Sequence, residues 1–242
     1  MIKIGISGIL GTMGGVLRNT VLKDSRFELV GGLDKQNTDI SVEHLNLLPK
    51  MDVLIDFSHP SLLKVLLDYA KENHVKLVLA ATGYQKSDFD LINLYAKDVA
   101  IFYSANYSVG IYLVRKALKE VSKHIDSSYD IEIVETHHRF KKDFPSGTAI
   151  KLYDEVNEAL VEKKKMIVGT SSDLGIHMHS LRLGNFVGEH SVFFSNMSET
   201  IEIKHTAHDK SVFAAGTLKA ASFMMDKASG LYGMDDLLGG NT

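Results

Sequence analysis

The 242 residues include no cysteine. Disulfides, thiolate zinc sites and a cysteine nucleophile are thereby excluded. The chain also lacks a basic surplus: 27 lysines and arginines stand against 30 acids, a formal net charge of -3, with the signs interspersed. Binding along a phosphate backbone needs such a surplus, so a small-molecule partner is expected and a nucleic acid is not. No apolar run reaches the roughly 18 residues that a membrane-spanning helix requires. The start, Met1-Ile2-Lys3-Ile4-Gly5-Ile6, passes directly into a strand pattern without a basic segment and long apolar stretch, so no secretion signal is read and a cytoplasmic location is expected. No repeats or low-complexity tracts are expected either.

What remains is an ordinary globular composition, 45% hydrophobic and 24% charged, in a chain long enough for two modest domains. Residues 2–7, 27–33, 51–57, 76–81 and 99–104 read as strands, and between them 12–23, 61–72 and 87–97 carry apolar residues at helical spacing. This alternation predicts right-handed βαβ crossovers and a mainly parallel, Rossmann-type sheet, giving an α/β fold class. From Tyr129 the pattern changes to longer alternating strands at 129–135, 176–183, 187–195 and 199–207, which predicts a C-terminal α+β domain on an open mixed sheet. Residues 148–162 and 212–228 read as helices.

The turn Gly8-Ile9-Leu10-Gly11-Thr12-Met13, closed by Gly14, follows a strand and opens a helix. Glycines in that setting let backbone amides approach a pyrophosphate, although the same turn could be a tight strand–helix joint. Asp34 lies twenty residues beyond Gly14 at a strand end, where its carboxylate can accept from ribose hydroxyls. Lys35, next to it, could instead neutralise a 2′-phosphate. The pair is compatible with NADH and with NADPH, and equally with a charged turn that binds nothing.

Residues 135–149, Glu-Thr-His-His-Arg-Phe-Lys-Lys-Asp-Phe-Pro-Ser-Gly-Thr-Ala, set two imidazoles, an ammonium group and a Pro-Ser-Gly-Thr turn on a strand-to-helix loop. An imidazole titrating near neutrality suits proton delivery, and a lysine with bare helix-start amides suits an anion. Together they describe proton donation to a carboxylate-bearing molecule. His177, His179, His205 and His208 raise the question of a metal site, since His177 and His179 share a strand face. No acidic partner is expected in register with them, and no metal is expected.

The run resembles the signature of the dihydrodipicolinate reductases, Glu-x-His-His-x-x-Lys-x-Asp-x-Pro-Ser-Gly-Thr-Ala. The likeness extends from Gly8 through Arg182-Leu183-Gly184 and Gly188-Glu189-His190 to Ser229-Gly230-Leu231-Tyr232. The resemblance implies NADPH- or NADH-dependent reduction of 4-hydroxy-tetrahydrodipicolinate on the diaminopimelate route to lysine, with domain closure over the substrate and assembly as a homotetramer through the substrate-domain sheets. It implies His137 as proton donor, Lys141 in catalysis or substrate holding, and His138 with the backbone amides of Gly147 and Thr148 as carboxylate ligands. Lys141 would pair with a carboxylate and oppose protonation of His137.

By the same resemblance, residues 80–82 (Ala80, Ala81, Thr82) and 104–107 (Ser104, Ala105, Asn106, Tyr107) line the cofactor. The chain's end would return to the first domain, giving a dinucleotide-binding domain of 1–107 plus 213–242 and a substrate and oligomerisation domain of 108–212. The chain departs from the pattern at Ala80, where the family usually has glycine, at Thr12, where arginine is common, and at Phe144, where the residue is often smaller. Arg182, Gly184, Gly188, Glu189 and His190 are expected to serve mainly as sheet and loop architecture. Two other functions stay open: a dinucleotide-binding redox sensor without catalysis, and an amino-acid dehydrogenase on the same half-fold.

Overall fold

The structure, a computed structural model, describes residues 1–239. In chain order it comprises β1 (Ile2–Ser7), α1 (Thr12–Val21), β2 (Phe27–Leu33), β3 (Ser41–Val42), β4 (Val53–Asp56), α2 (Leu63–Asn73), β5 (Lys76–Leu79), α3 (Lys86–Tyr95) and β6 (Ala100–Tyr103). Then follow α4 (Val109–Ser122), β7 (Asp130–His137), α5 (Gly147–Ala159), β8 (Met166–Val168), β9 (Ile176–Arg182), β10 (Gly188–Ser195) and β11 (Thr200–Ala207). The chain closes with α6 (Ser211–Met224), β12 (Gly230–Tyr232) and α7 (Met234–Leu238). Two compact units result, one of Met1–Tyr107 with the chain from Lys210 onward, the other of Ser108–Asp209.

The first unit is a seven-stranded sheet in the order β12-β6-β5-β4-β1-β2-β3, with every pairing parallel. Its central strands are apolar on both faces, which parallel sheets need because helices cover both sides. All four residues of β4 are buried, as are Ile4 and Ile6 of β1 and Leu77, Val78 and Leu79 of β5. Helix α6 packs against α1 and passes so close to the end of β6 that a Cβ on Gly216 would lie 1.8 Å from the Tyr107 carbonyl oxygen. Glycine is required there.

The second unit is a mixed sheet in the order β11-β10-β7-β9-β8. Strand β10 runs antiparallel to β7 and β11, whereas β7, β9 and β8 are parallel. Because side chains alternate along each strand, Ile131, Ile133, Ile176, Met178, Val192 and Phe194 share one face and pack beneath Leu118 of α4 and Leu152 and Val156 of α5. The opposite face carries Glu132, Val134, His177, His179 and Phe193.

Besides the short elements β3, β8, β12 and α7, which the sequence pattern does not show, the structure departs from the expected pattern in three further places. Strand β7 continues through His137, since Thr136 and His137 stay in register with Leu181 and Arg182 of β9. The first imidazole therefore stands on the sheet and not on the loop. Helix α4 occupies a stretch to which the sequence pattern assigns no element, capped by Ser108, whose Oγ accepts from the Ile111 amide at 3.2 Å. And an acidic partner does sit in register with the paired histidines: Glu132 lies opposite His177, with Oε1 3.2 Å from His177 Nδ1 and Oε2 hydrogen-bonded to His179 Nε2 at 2.7 Å.

Candidate active site

In the first unit the chain reverses side of the sheet between β1 and β4, and the crevice at the carboxyl ends of these strands is where open α/β sheets take ligands. The glycine-rich turn fills that position. Gly8 has φ +79°, and a Cβ there would stand 2.9 Å from the Phe57 carbonyl oxygen. A Cβ on Gly14 would stand 2.0 Å from the Gly8 carbonyl oxygen, so only glycine lets α1 start this close to the turn. Asp34 at the end of β2 braces the turn from beside it: Oδ2 accepts from the Leu10 amide at 2.9 Å and Oδ1 from the Lys35 amide at 2.8 Å. A carboxylate offers about four acceptor positions, so ribose hydroxyls can still be served.

A cavity of about 1250 Å³ opens here, lined by Gly8, Gly11, Asp34, Lys35, Ser58 and His59 among others. That volume and these amides suit a dinucleotide. Residues 80–82 and 104–107 follow β5 and β6 on the same edge of the sheet but outside this lining. The Tyr107 side chain is buried and donates to the Leu79 carbonyl at 2.7 Å, which leaves only its backbone for any ligand.

In the second unit Glu135 and His137 are two apart on β7 and share a face. Glu135 is fully buried, with Oε2 bonded to His137 Nδ1 and Oε1 to Arg182 Nη2 at 2.9 Å. Burial pushes its carboxyl up, but the hydrogen bonds of His137 and Arg182 outweigh that and bring it down to about 2. Arg182, at the end of β9, also donates to the carbonyls of Leu181 at 2.7 Å, Asp143 at 2.7 Å and Lys141 at 3.3 Å, and so holds the loop after β7 against the sheet.

His190, opposite Glu135 on β10, stands edge-on to His137 with ring centroids 5.2 Å apart. Its Nε2 shares a hydrogen bond of 3.1 Å with Ser146 Oγ, and that oxygen caps α5 by accepting from the Ala149 amide. Burial, then the neighbouring charge of His137, pushes His190 down to about 3, so it is neutral at physiological pH. His137 and the start of α5 are thus joined through one neutral imidazole. Glu135, His137 and His190 present three donor atoms within 4.8 Å of one another, a possible cation nest. With a guanidinium already on the carboxylate, a proton suits the cluster better than a dication.

Comparison with known proteins finds relatives along nearly the whole chain. Residues 2–107 match the family model described as dihydrodipicolinate reductase, N-terminus, and residues 110–238 match the one described as dihydrodipicolinate reductase, C-terminus. The chain belongs to the dihydrodipicolinate reductase family. A curated relative from Clostridium tetani, named 4-hydroxy-tetrahydrodipicolinate reductase, is 42% identical over 98% of this chain and 97% of its own length. One of the same name from Clostridium novyi is 40% identical over 98% of each chain. Among solved structures, a dipicolinate-bound dihydrodipicolinate reductase from Paenisporosarcina sp. TG-14 shares the fold, with a TM-score of 0.81 at 23% identity, covering 98% of this chain and all of that one.

The signature residues of this dihydrodipicolinate reductase family member fall into two groups. His137, Ser146 and the α5 start are brought together around His190. His138 lies just past the strand, half-buried, its ring 6.4 Å from that of Phe140. Lys141 spans both oxygens of Asp143 at 2.9 and 2.8 Å. The charge bonded to His137 is therefore the Glu135 carboxylate and not the Lys141 ammonium.

Gly147 opens α5 with nothing within 4 Å of a Cβ built on it, and Thr148 follows in the first turn. Arg182 and His190, expected to be mainly architecture, are parts of the cluster, whereas Glu189 points to the other face and pairs with Lys204 at 2.9 Å. Sequence reasoning also passed over Phe57, Ser58 and His59 after β4. Their signal was the switch in strand order, which periodicity along a single chain does not display.

Proposed function

We infer that this protein is a 4-hydroxy-tetrahydrodipicolinate reductase, reducing that cyclic dicarboxylate to tetrahydrodipicolinate on the diaminopimelate route to lysine. The observation that carries the chemistry is His137, its Nδ1 side fixed by a buried carboxylate while, among the described residues, no hydrogen bond reaches Nε2. That is the arrangement of a proton donor. When bound, the reduced nicotinamide supplies the hydride. The amides at the turn from Gly8 to Met13 would hold its pyrophosphate, and the ends of β5 and β6, residues 80–82 and 104–107, would border its nicotinamide half.

On the second unit, the amides of Gly147 and Thr148 would take one substrate carboxylate and His138 the other. The open space at Gly147 favours close approach of an anion. Lys141 would exchange its exposed partner Asp143 for a substrate carboxylate. We propose use of both NADH and NADPH, Asp34 serving the ribose and the exposed Lys35 the 2′-phosphate. The first unit is then the dinucleotide-binding domain and the second the substrate-binding and oligomerisation domain. The face of the five-stranded sheet away from α4 and α5, with Val134 and Phe193 half-exposed, favours sheet-to-sheet assembly, which we propose builds a homotetramer.

Among the described residues no helix is long and apolar enough to cross a membrane, and we propose that the enzyme works in the cytoplasm, where its soluble cofactor is held. The test is to add freshly made dihydrodipicolinate synthase product and follow loss of nicotinamide absorbance with NADH and NADPH in parallel. Rapid oxidation with either is expected. Nucleotide binding without oxidation would favour a redox sensor and overturn the assignment.

A further inference from the structure

We propose that Glu135 is a positioning residue: clamped by Arg182, its carboxylate holds the His137 imidazole through Nδ1 so that Nε2 presents its proton to the substrate. The proposal rests on the assignment of His137 as the proton donor. Its geometry is independent of that assignment. Glu135 is fully enclosed, and each of its oxygens is bonded to a cationic or potentially cationic group, His137 on one side and Arg182 on the other. Arg182 is itself tied to backbone, since its three nitrogens donate to the carbonyls of Leu181, Lys141 and Asp143. The chain of fixed groups therefore runs from backbone, through guanidinium and carboxylate, to the imidazole.

At the far side of the ring the structure leaves room. A Cβ on Gly188 would stand 3.2 Å from His137 Nε2, so the glycine that opens β10 keeps that nitrogen approachable. The other groups facing His137 are His190 from β10, which is buried and neutral, Arg182 from β9, which is spent on Glu135, and Lys141 of the loop, which is paired with Asp143. None competes with the carboxylate for the imidazole. Glu135 itself stays ionised throughout, since its carboxyl lies near 2.

It therefore stabilises the imidazolium without taking its proton. On transfer, the Nε2–H bond breaks and its electron pair stays on the ring. The electron-rich carbon left by hydride addition gains the proton, and His137 becomes neutral with its remaining proton still directed from Nδ1 to Glu135. Solvent returns the lost proton to Nε2.

The decisive variant is Glu135→Gln, which keeps size and removes charge. Expected are a kcat lower on the order of tenfold to a hundredfold, a KM close to that of the parent, and an alkaline limb of the rate profile moved about one unit toward lower pH. Glu135→Asp, which restores the charge, should return the limb toward its original position. A variant profile with the limb unmoved and kcat intact would overturn the proposal and leave Glu135 a purely structural ion pair.

Nitrogen-15 spectra of the histidine rings in the unliganded wild-type protein provide a measurement that no variant's folding can spoil. With the His137 signal identified by its loss in His137→Gln, the neutral ring should carry its proton on Nδ1. A proton on Nε2 instead would refute the clamp. Should the wild-type protein fail to reduce the substrate at all, the reductase assignment would fall while the ring spectra still decide the geometry.

Discussion

At the scale of single residues, His137 and its neighbours make separable predictions. His137→Gln should lower kcat by about 10²- to 10⁴-fold, the usual contribution of a positioned acid, with nucleotide binding intact. A near-normal turnover in that variant alongside an inactive Lys141→Ala would transfer the role to the lysine. His190 controls a different property. It is held at about 3 in the fold against an ordinary 6.5, so between those values the unfolded chain binds a proton that the folded chain refuses.

Stability must then fall as pH drops from 6.5, by up to about 1.4 kcal/mol per pH unit. Glu135, held near 2, adds stability present above about 4.5 and lost as pH falls toward 2. Thermal unfolding of His190→Gln should show a flatter slope between pH 6.5 and 4.5 than the parent. An unchanged slope would mean that His190 is protonated in the fold. His137 stands out in the sequence because Glu135, His138, Lys141 and Asp143 crowd around it within nine residues. Arg182 and His190 do not, since their place beside Glu135 depends on the register of three strands, and register is written in no single stretch.

Secondary-structure elements carry the binding predictions. The start of α1 depends on one glycine and not on its neighbour. Gly14→Ala places a methyl 2.0 Å from the Gly8 carbonyl oxygen, whereas a Cβ on Gly15 meets nothing within 4 Å. Titration of nicotinamide fluorescence should show at least about tenfold weaker binding for Gly14→Ala, while Gly15→Ala binds normally and gains about 0.5–1 kcal/mol of stability. Equal effects would remove the turn from the nucleotide site. At α5, His138→Ala should weaken binding of pyridine-2,6-dicarboxylate in calorimetry, and full retention would exclude that imidazole as a carboxylate ligand.

The alternation of strand and helix in the first unit is visible from periodicity, because β4 and β5 are short continuous apolar runs between amphipathic helices. Helix α4 escaped that reading. Its first turns run Val109-Gly110-Ile111-Tyr112-Leu113-Val114, apolar without a break, and carry no helical period until Arg115.

At the scale of the molecule, each unit carries its own core and its own candidate site, which predicts separable responses. Hydrogen exchange should show NADPH protecting the backbone around Gly8 to Met13, and pyridine-2,6-dicarboxylate protecting residues 138–149. Protection of the same segments by both ligands would contradict the division of labour. If the open sheet face joins copies, Phe193→Glu should lower the mass seen in sedimentation without loss of helical signal, and an unchanged mass would exclude that face.

The parallel sheet of the first unit also imposes an order of events during synthesis. Strand β12 completes the sheet beside β6, and α6 covers α1, yet both are encoded after the whole of Ser108–Asp209. A ribosome that has released only the first 209 residues has therefore supplied every strand of the later unit but not the cover of the earlier one. The second unit can mature on the nascent chain while the first waits for the last α6 and β12 residues to emerge.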